Sequence, residues 1–200
     1  MYEIMNTIEP IVPVMLNKFP MPKKPGEPPN KYKGEDEEME ALEEMVWRDD
    51  EGLFVPADNF RMMLIGNQFR DGAAKILGSR IERAKGTAYT EFCKACVWVT
   101  GTEDPLKIYP EPKRDSWDDV DIRSYCKKQG RDYIRRPLLC PPLTFTFKIT
   151  VTDETMAAGK IKQLYEVAGM RCGIGAYGPT FGRFVIKKWE VVGKKKKKAK

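Results

Sequence analysis

Two stretches of the chain carry residue types that can act together on an anion. The first runs from Gly169 to Gly182, five glycines in fourteen residues, with Arg171, Tyr177, Pro179, Phe181 and then Arg183 among or beside them. Glycine admits positive φ and lets another backbone come close. Such a loop can make Arg171, Gly173, Gly175 and Arg183 a cradle in which backbone amides and two guanidinium groups meet a phosphate. A long loop that needs sharp turns would use the same glycines, and the spacing matches neither a Walker lysine loop nor a dinucleotide fingerprint. The second stretch reads as a hairpin turning at Gln129 and Gly130, with Arg123, Lys127, Lys128, Arg131, Arg135 and Arg136 interleaved with Tyr125 and Tyr133. Cations hold phosphates and tyrosine rings stack on bases. An exposed hairpin whose charges serve solubility is the plainer alternative.

Other chemistries find less support. Histidine is absent, which removes the commonest general base and every Ser-His or Cys-His nucleophile pair, so catalysis is disfavoured without being excluded. The five cysteines are odd in number and irregularly spaced, which argues against a disulfide framework. Cys93 and Cys96 form one CxxC with no second such pair, so buried free thiols on a strand are expected rather than zinc ligands. No cofactor is expected. Glu35, Asp36, Asp49 and Asp50 are the acids a metal-dependent nuclease would use, although Asp49 to Gly52 also reads as a polar turn.

The charge is segregated. Net charge is +6, but six lysines lie in the last seven residues, while residues 35–51 hold ten acids against Arg48 alone. The remaining body keeps a surplus of nine positive charges, which suits a polyanion, and the acidic stretch is either a solvated helix or a contact for a neighbour's basic surface. No run approaches the ~18 apolar residues of a membrane span, and no basic-then-apolar leader opens the chain, so a cytoplasmic protein without a membrane partner is expected.

The elements that must position these groups follow from periodicity. Leu143 to Val151 alternates apolar with Thr and Lys, a half-buried strand. Glu154 to Ala168 reads as a helix capped by Thr152 or Asp153 and ended by Gly169, and Arg183 to Val191 as a closing strand. Upstream, Thr7 to Asn17 reads as a strand broken by prolines, Asp58 to Leu77 as a helix with an Asp or Asn cap, and Phe92 to Thr100 as a strand. A proline-rich mobile segment at 20–33, an acidic helix at Glu35 to Met45, a hairpin of 46–48 with 53–55 and a basic connector at 79–85 complete the reading. The long elements give strand, helix, strand, strand, helix, strand, so the fold class is α+β with a ferredoxin-like (RRM-like) βαββαβ core. Residues 1–193 form one domain with insertions at 20–55 and 101–140, and 194–200 form a disordered basic tail.

Three stretches resemble the RAMP superfamily, which includes backbone subunits of CRISPR effector complexes. Val55 to Phe60 resembles its proline-initiated helix start, Arg123 to Pro137 its basic insertion, and Gly173, Gly175, Phe181, Gly182, Arg183 and Phe184 its glycine-rich loop before the last strand. The helix start lacks the usual small-residue and lysine continuation, Pro179 interrupts the loop, and no residue takes the place of the acid with which some members cut RNA. The resemblance implies RNA held along a basic sheet face and loops, with subunits stacked along the strand. A non-catalytic, single-stranded RNA-binding protein that assembles with itself or other subunits is therefore the leading expectation. Single-stranded DNA, a metal-dependent nuclease and a viral structural or adaptor protein are the alternatives.

Overall fold

A computed structural model describes residues 1–18, 35–83, 86–126 and 131–192. The expected proline-rich segment, the turn with Lys127 and Lys128, and the lysine tail lie outside them. The order is β1 (Tyr2–Pro10), β2 (Val14–Met15), α1 (Glu35–Glu44), β3 (Trp47–Asp49), β4 (Gly52–Pro56), α2 (Ala57–Ile65), β5 (Gly66–Asn67), β6 (Arg70–Asp71) and α3 (Ala73–Lys75), which widens into a π-helical turn over Ile76–Ile81. Then come α4 (Gly86–Cys96), β7 (Val97–Gly101), β8 (Lys107–Ile108), β9 (Pro110–Glu111), β10 (Asp119–Cys126), β11 (Arg131–Leu139) and β12 (Thr144–Val151). The chain closes with α5 (Ala158–Val167), a second π-helical turn over Ala168–Cys172, and β13 (Phe184–Val192).

The main sheet runs β13-β1-β12-β7, antiparallel at every pairing, with β9 added to β12. Period-two alternation explains its two faces. Ile4, Ile8, Phe145, Phe147, Ile149 and Val151 are buried on one side, where α2 and α5 cover them. There Phe60 of α2 packs its ring 5.5 Å from Phe145 and 4.8 Å from Phe147, and Tyr165 of α5 lies 5.7 Å from Phe147 and 6.1 Å from Trp189. Tilted and edge-on rings at these spacings add to area burial. A smaller sheet, β10-β11-β2, carries the basic hairpin, and β2 ties it to the end of β1.

Several expectations need correction. The strand expected from Thr7 to Asn17 is two strands in two sheets, because Pro10 ends β1 and the chain turns before Val14. The helix expected from Asp58 to Leu77 breaks after Ile65 into the hairpin β5-β6. Gly66, at φ +81°, and Gly72 lie so close that a Cβ on either would strike the other's amide nitrogen. No Asp or Asn caps α2, since Pro56 occupies that position and Asp58 falls in the first turn. Residues 92–96 belong to helix α4, so the strand starts only at Val97, and Cys93 is a buried helical thiol. The 79–85 connector is helical through Ile81. In the last helix Asp153 Oδ1 accepts the Thr155 amide at 2.8 Å in a preceding turn, α5 starts at Ala158 without a side-chain cap, and the helical path passes Gly169 to end at Gly173. Both expected hairpins and the acidic helix are present.

Phe147 joins the β12, α2 and α5 rings, so Phe147→Ala should cost about 3–5 kcal/mol, read as a lower denaturation midpoint with an unchanged slope. A loss below 1 kcal/mol, by the same scale, would show that this ring is not central to the core.

Candidate functional site

The glycine-dense loop leaves the second π-helical turn and is stitched to the short strand β2. The Ala176 amide donates to the Met15 carbonyl at 3.0 Å and the Gly182 amide to the Pro13 carbonyl at 2.8 Å. Gly175, at φ +77°, lies so near Met15 that a side chain would meet its carbonyl oxygen. Within the loop, the Ile174 amide donates to Gly182 at 2.9 Å, and the Gly173 amide donates back to Ala168 at 2.8 Å. The amides of Gly173, Ile174, Ala176 and Gly182 are thus spent inside the fold, and the glycines serve close packing and turning.

Because β2 also pairs with β11 through Leu138 and Leu139, the stitching lays the loop against the basic hairpin. Tyr177, held at φ +52°, and Phe181 present their rings to two arginines. The Arg123 guanidinium carbon lies 5.1 Å from the Tyr177 centroid and 4.9 Å from that of Phe181, and that of Arg136 lies 4.7 Å from Tyr177. These are cation–π distances. Arg123 Nε donates to Asp121 at 2.7 Å and Arg136 Nε to Asn17 at 3.1 Å, which fixes both planes. Arg136 Nη1 and Arg183 Nε are buried and without a hydrogen-bond partner among the described residues.

The hairpin register divides the expected set. Asp121 opposes Arg136 and Arg123 opposes Ile134, so Arg123 and Arg136 share the face toward the loop. Ile122 opposes Arg135 and Ser124 opposes Tyr133, which places Arg135 and Tyr133 on the other face, with Ile122 and Tyr133 exposed. Tyr125 pairs with Asp132 and Arg131 with Cys126 at the hairpin's far end. Arg171 is exposed on the other flank of the loop, in a cleft of about 480 Å³ shared with Arg70, Lys75, Arg80, Gly178 and Pro179. Arg70, absent from the expected set, donates through Nη1 to the carbonyls of Cys172 and Gly178, both at 3.2 Å. Its position between Gly66 and Gly72 was the signal available in the sequence.

The open face of the main sheet is not uniformly basic, unlike what the resemblance implied. Lys148 pairs with Glu3 at 3.4 Å, Lys187 with Glu9 at 2.8 Å and Lys188 with Glu190 at 3.2 Å. Asp49 and Glu51 are likewise answered within the chain. Asp49 Oδ2 accepts from Lys107 Nζ at 2.6 Å and from the Tyr109 hydroxyl at 2.7 Å, and Lys113 bridges Glu51 and Glu103. Those hydrogen bonds, that of Lys107 first, lower Asp49 to about 2, whereas burial chiefly, with Asp49 beside it, lifts Tyr109 to about 12. A carboxylate so engaged is a structural anchor. Burial raises Cys93 to about 12 and Cys172 to about 11, which disfavours the thiolate that a zinc site or nucleophile requires. Among the described residues no group of three or more acids or cysteines is placed to hold a metal ion, and no helix is long and apolar enough to cross a membrane.

No protein-family model and no curated protein matches the sequence. Among solved structures, the chain is similar in fold to a chain of a cryo-EM structure of the Type III-B Cmr-beta bound to cognate target RNA, with a TM-score of 0.53 at 14% identity. The match covers 95% of this chain and 60% of that one, so this chain spans about three fifths of the neighbour's length. At this identity the likeness is one of fold.

The Asp49 clamp makes a pH prediction. Its carboxyl lies lower in the folded chain than the unfolded value near 4, so its stabilisation is full above about pH 4 and is lost as pH falls toward 2. Asp49→Asn should lower stability at neutral pH and flatten the fall below pH ~4, as read by urea denaturation across that range. Equal acid sensitivity in the variant and the parent would contradict the clamp.

Proposed function

We propose that this chain is a non-catalytic, single-stranded RNA-binding subunit of a ribonucleoprotein, of RAMP-like fold and able to assemble head to tail along the strand. The observation that carries this reading is the convergence of the basic hairpin and the glycine-dense loop, with Arg123 and Arg136 held on the rings of Tyr177 and Phe181. A guanidinium stacked on an aromatic ring and tied through Nε has little freedom left to lose when a phosphate arrives, and it keeps further donors for that phosphate. The sequence adds Tyr125, Lys127, Lys128 and Arg131 as further proposed contacts, Tyr133 and Arg135 would serve a strand that passes to the hairpin's other face, and Arg171 and Arg183 would add charge from the loop. Gly175 contributes by letting the loop lie close to Met15, and Gly173 by letting the loop fold back on Phe181 and Gly182.

The fold supports the same reading. A main sheet in the order β13-β1-β12-β7, with α2 to α4 between its first two strands in sequence and α5 between its last two, fits a ferredoxin-like βαββαβ core. The similarity to a chain from an RNA-bound Cmr assembly adds to it. A metal-dependent nuclease built on Asp49 is disfavoured, because Lys107 and Tyr109 already hold that carboxylate.

The test is equilibrium binding of labelled single-stranded RNA and DNA across a salt series. The parent should bind at low salt, and the Arg123→Glu, Arg136→Glu double variant should bind at least about tenfold more weakly, with a salt slope shallower by roughly 1.4. Retained folding of the variant is checked by circular dichroism. A parent that ignores both polymers, or a folded variant with unchanged affinity and slope, would overturn the assignment.

A further inference from the structure

Phe69 is the most exposed aromatic ring among the described residues, 87% accessible, at the tip of the two-residue turn between β5 and β6. The turn is tightly built. Asn67 Oδ1 accepts the amides of both Phe69 and Arg70, at 2.9 and 3.0 Å, and Gly66 and Gly72 close the base of the hairpin. Arg70 ties the hairpin to the carbonyls of Cys172 and Gly178, so its tip is fixed relative to the glycine-dense loop. Beside the ring lies the cleft of about 480 Å³ lined by Arg70, Lys75, Arg80 and Arg171, against a single acid, Asp71. Asp71 anchors two of those cations, Lys75 at 2.7 Å and Arg80 at 2.9 Å, which leaves the cleft with a positive surplus.

An apolar ring that is presented rigidly and rimmed by Asn67, Gln68 and Arg70 is too small to seat a protein partner, since a stable interface covers about 800 Å² on each side. It matches the face of one nucleobase, and the cations below match the phosphates on either side of that base. We propose that Phe69 is a base-stacking platform, and that the Lys75, Arg80 and Arg171 cleft holds the adjoining backbone of the same single strand. This rests on the RNA-binding reading and adds a second contact, on the opposite flank of the loop from Arg123 and Arg136. Tyr177 belongs to the first contact while Gly178 and Pro179 line the cleft, so the two contacts adjoin along the loop.

The test uses the full chain with fluorescently labelled oligouridylate of about twelve nucleotides, and oligodeoxythymidylate of the same length as the DNA arm. Phe69→Ala should bind roughly tenfold more weakly with an unchanged salt slope, because stacking releases no counterions. Phe69→Tyr should restore affinity to within about threefold, since the ring is kept. Arg171→Gln should instead make the salt slope shallower by roughly 0.7. An equal Phe69 loss on both polymers supports a general single-strand platform, and a loss on RNA alone supports one specific to RNA. If the parent binds but Phe69→Ala binds equally well, the inference is overturned while the RNA-binding reading stands. The same holds if Phe69→Ala changes only the mass of the RNA-bound assembly, which would make the ring a subunit contact. A parent that binds neither polymer overturns both.

Discussion

The close approach of the glycine-dense loop to the backbone of Pro13 and Met15 is the constraint on which the rest of the site depends. Two inter-segment hydrogen bonds and a glycine contact hold it there. Since Val14 and Met15 also pair with Leu139 and Leu138, one short strand fixes the loop on one side and the basic hairpin on the other. Tyr177 and Phe181 then have no choice but to face the arginines of β10 and β11. A side chain at Gly175 would strike the Met15 carbonyl and one at Gly182 that of Ile174 across the loop, and both glycines hold positive φ, so both are a condition of the arginine–ring contacts.

Charge is distributed to the same end. On the open sheet face and around residues 49–51, opposite charges sit within ion-pair distance and cancel locally. Along the hairpin and the loop flanks, cations rest on rings, on carbonyl oxygens or on a shared Asp71. Bulk composition alone would place a polyanion anywhere on a basic body. The pattern favours the loop and its two neighbours, where carboxylates are fewer than cations: Asp121 holds Arg123 and Asp71 is shared by Lys75 and Arg80, while Arg136 and Arg70 rest on a ring and on carbonyl oxygens, which leaves positive charge there for a phosphate.

Much of this fold was legible in the sequence where one local rule dominated. The alternation of β12 and the strand pairings of the two hairpins each survive in the structure. The start of β1 was hidden by Asn6, a fully buried amide that interrupts an otherwise apolar face. Helix α4 was hidden because Thr90 and Phe92 favour strands locally, while packing of Tyr89, Phe92 and Cys93 onto the core decides for helix. The break after Ile65 depends on the contact of two glycines six residues apart, which propensity does not register. The arginine–ring contacts were least legible of all. Arg123 and Tyr177 meet only through the pairing of β2 with β11, so their types were visible and their proximity was not.

The measurement that bears most directly on the account is photocrosslinking of the full chain to thiouridine-bearing single-stranded RNA, with the modified peptides identified by mass spectrometry. The account places crosslinks in the 119–139 hairpin and the 171–183 loop. Crosslinks confined to the open sheet face around Glu3, Lys148 and Lys187, with none on the hairpin or loop, would contradict it.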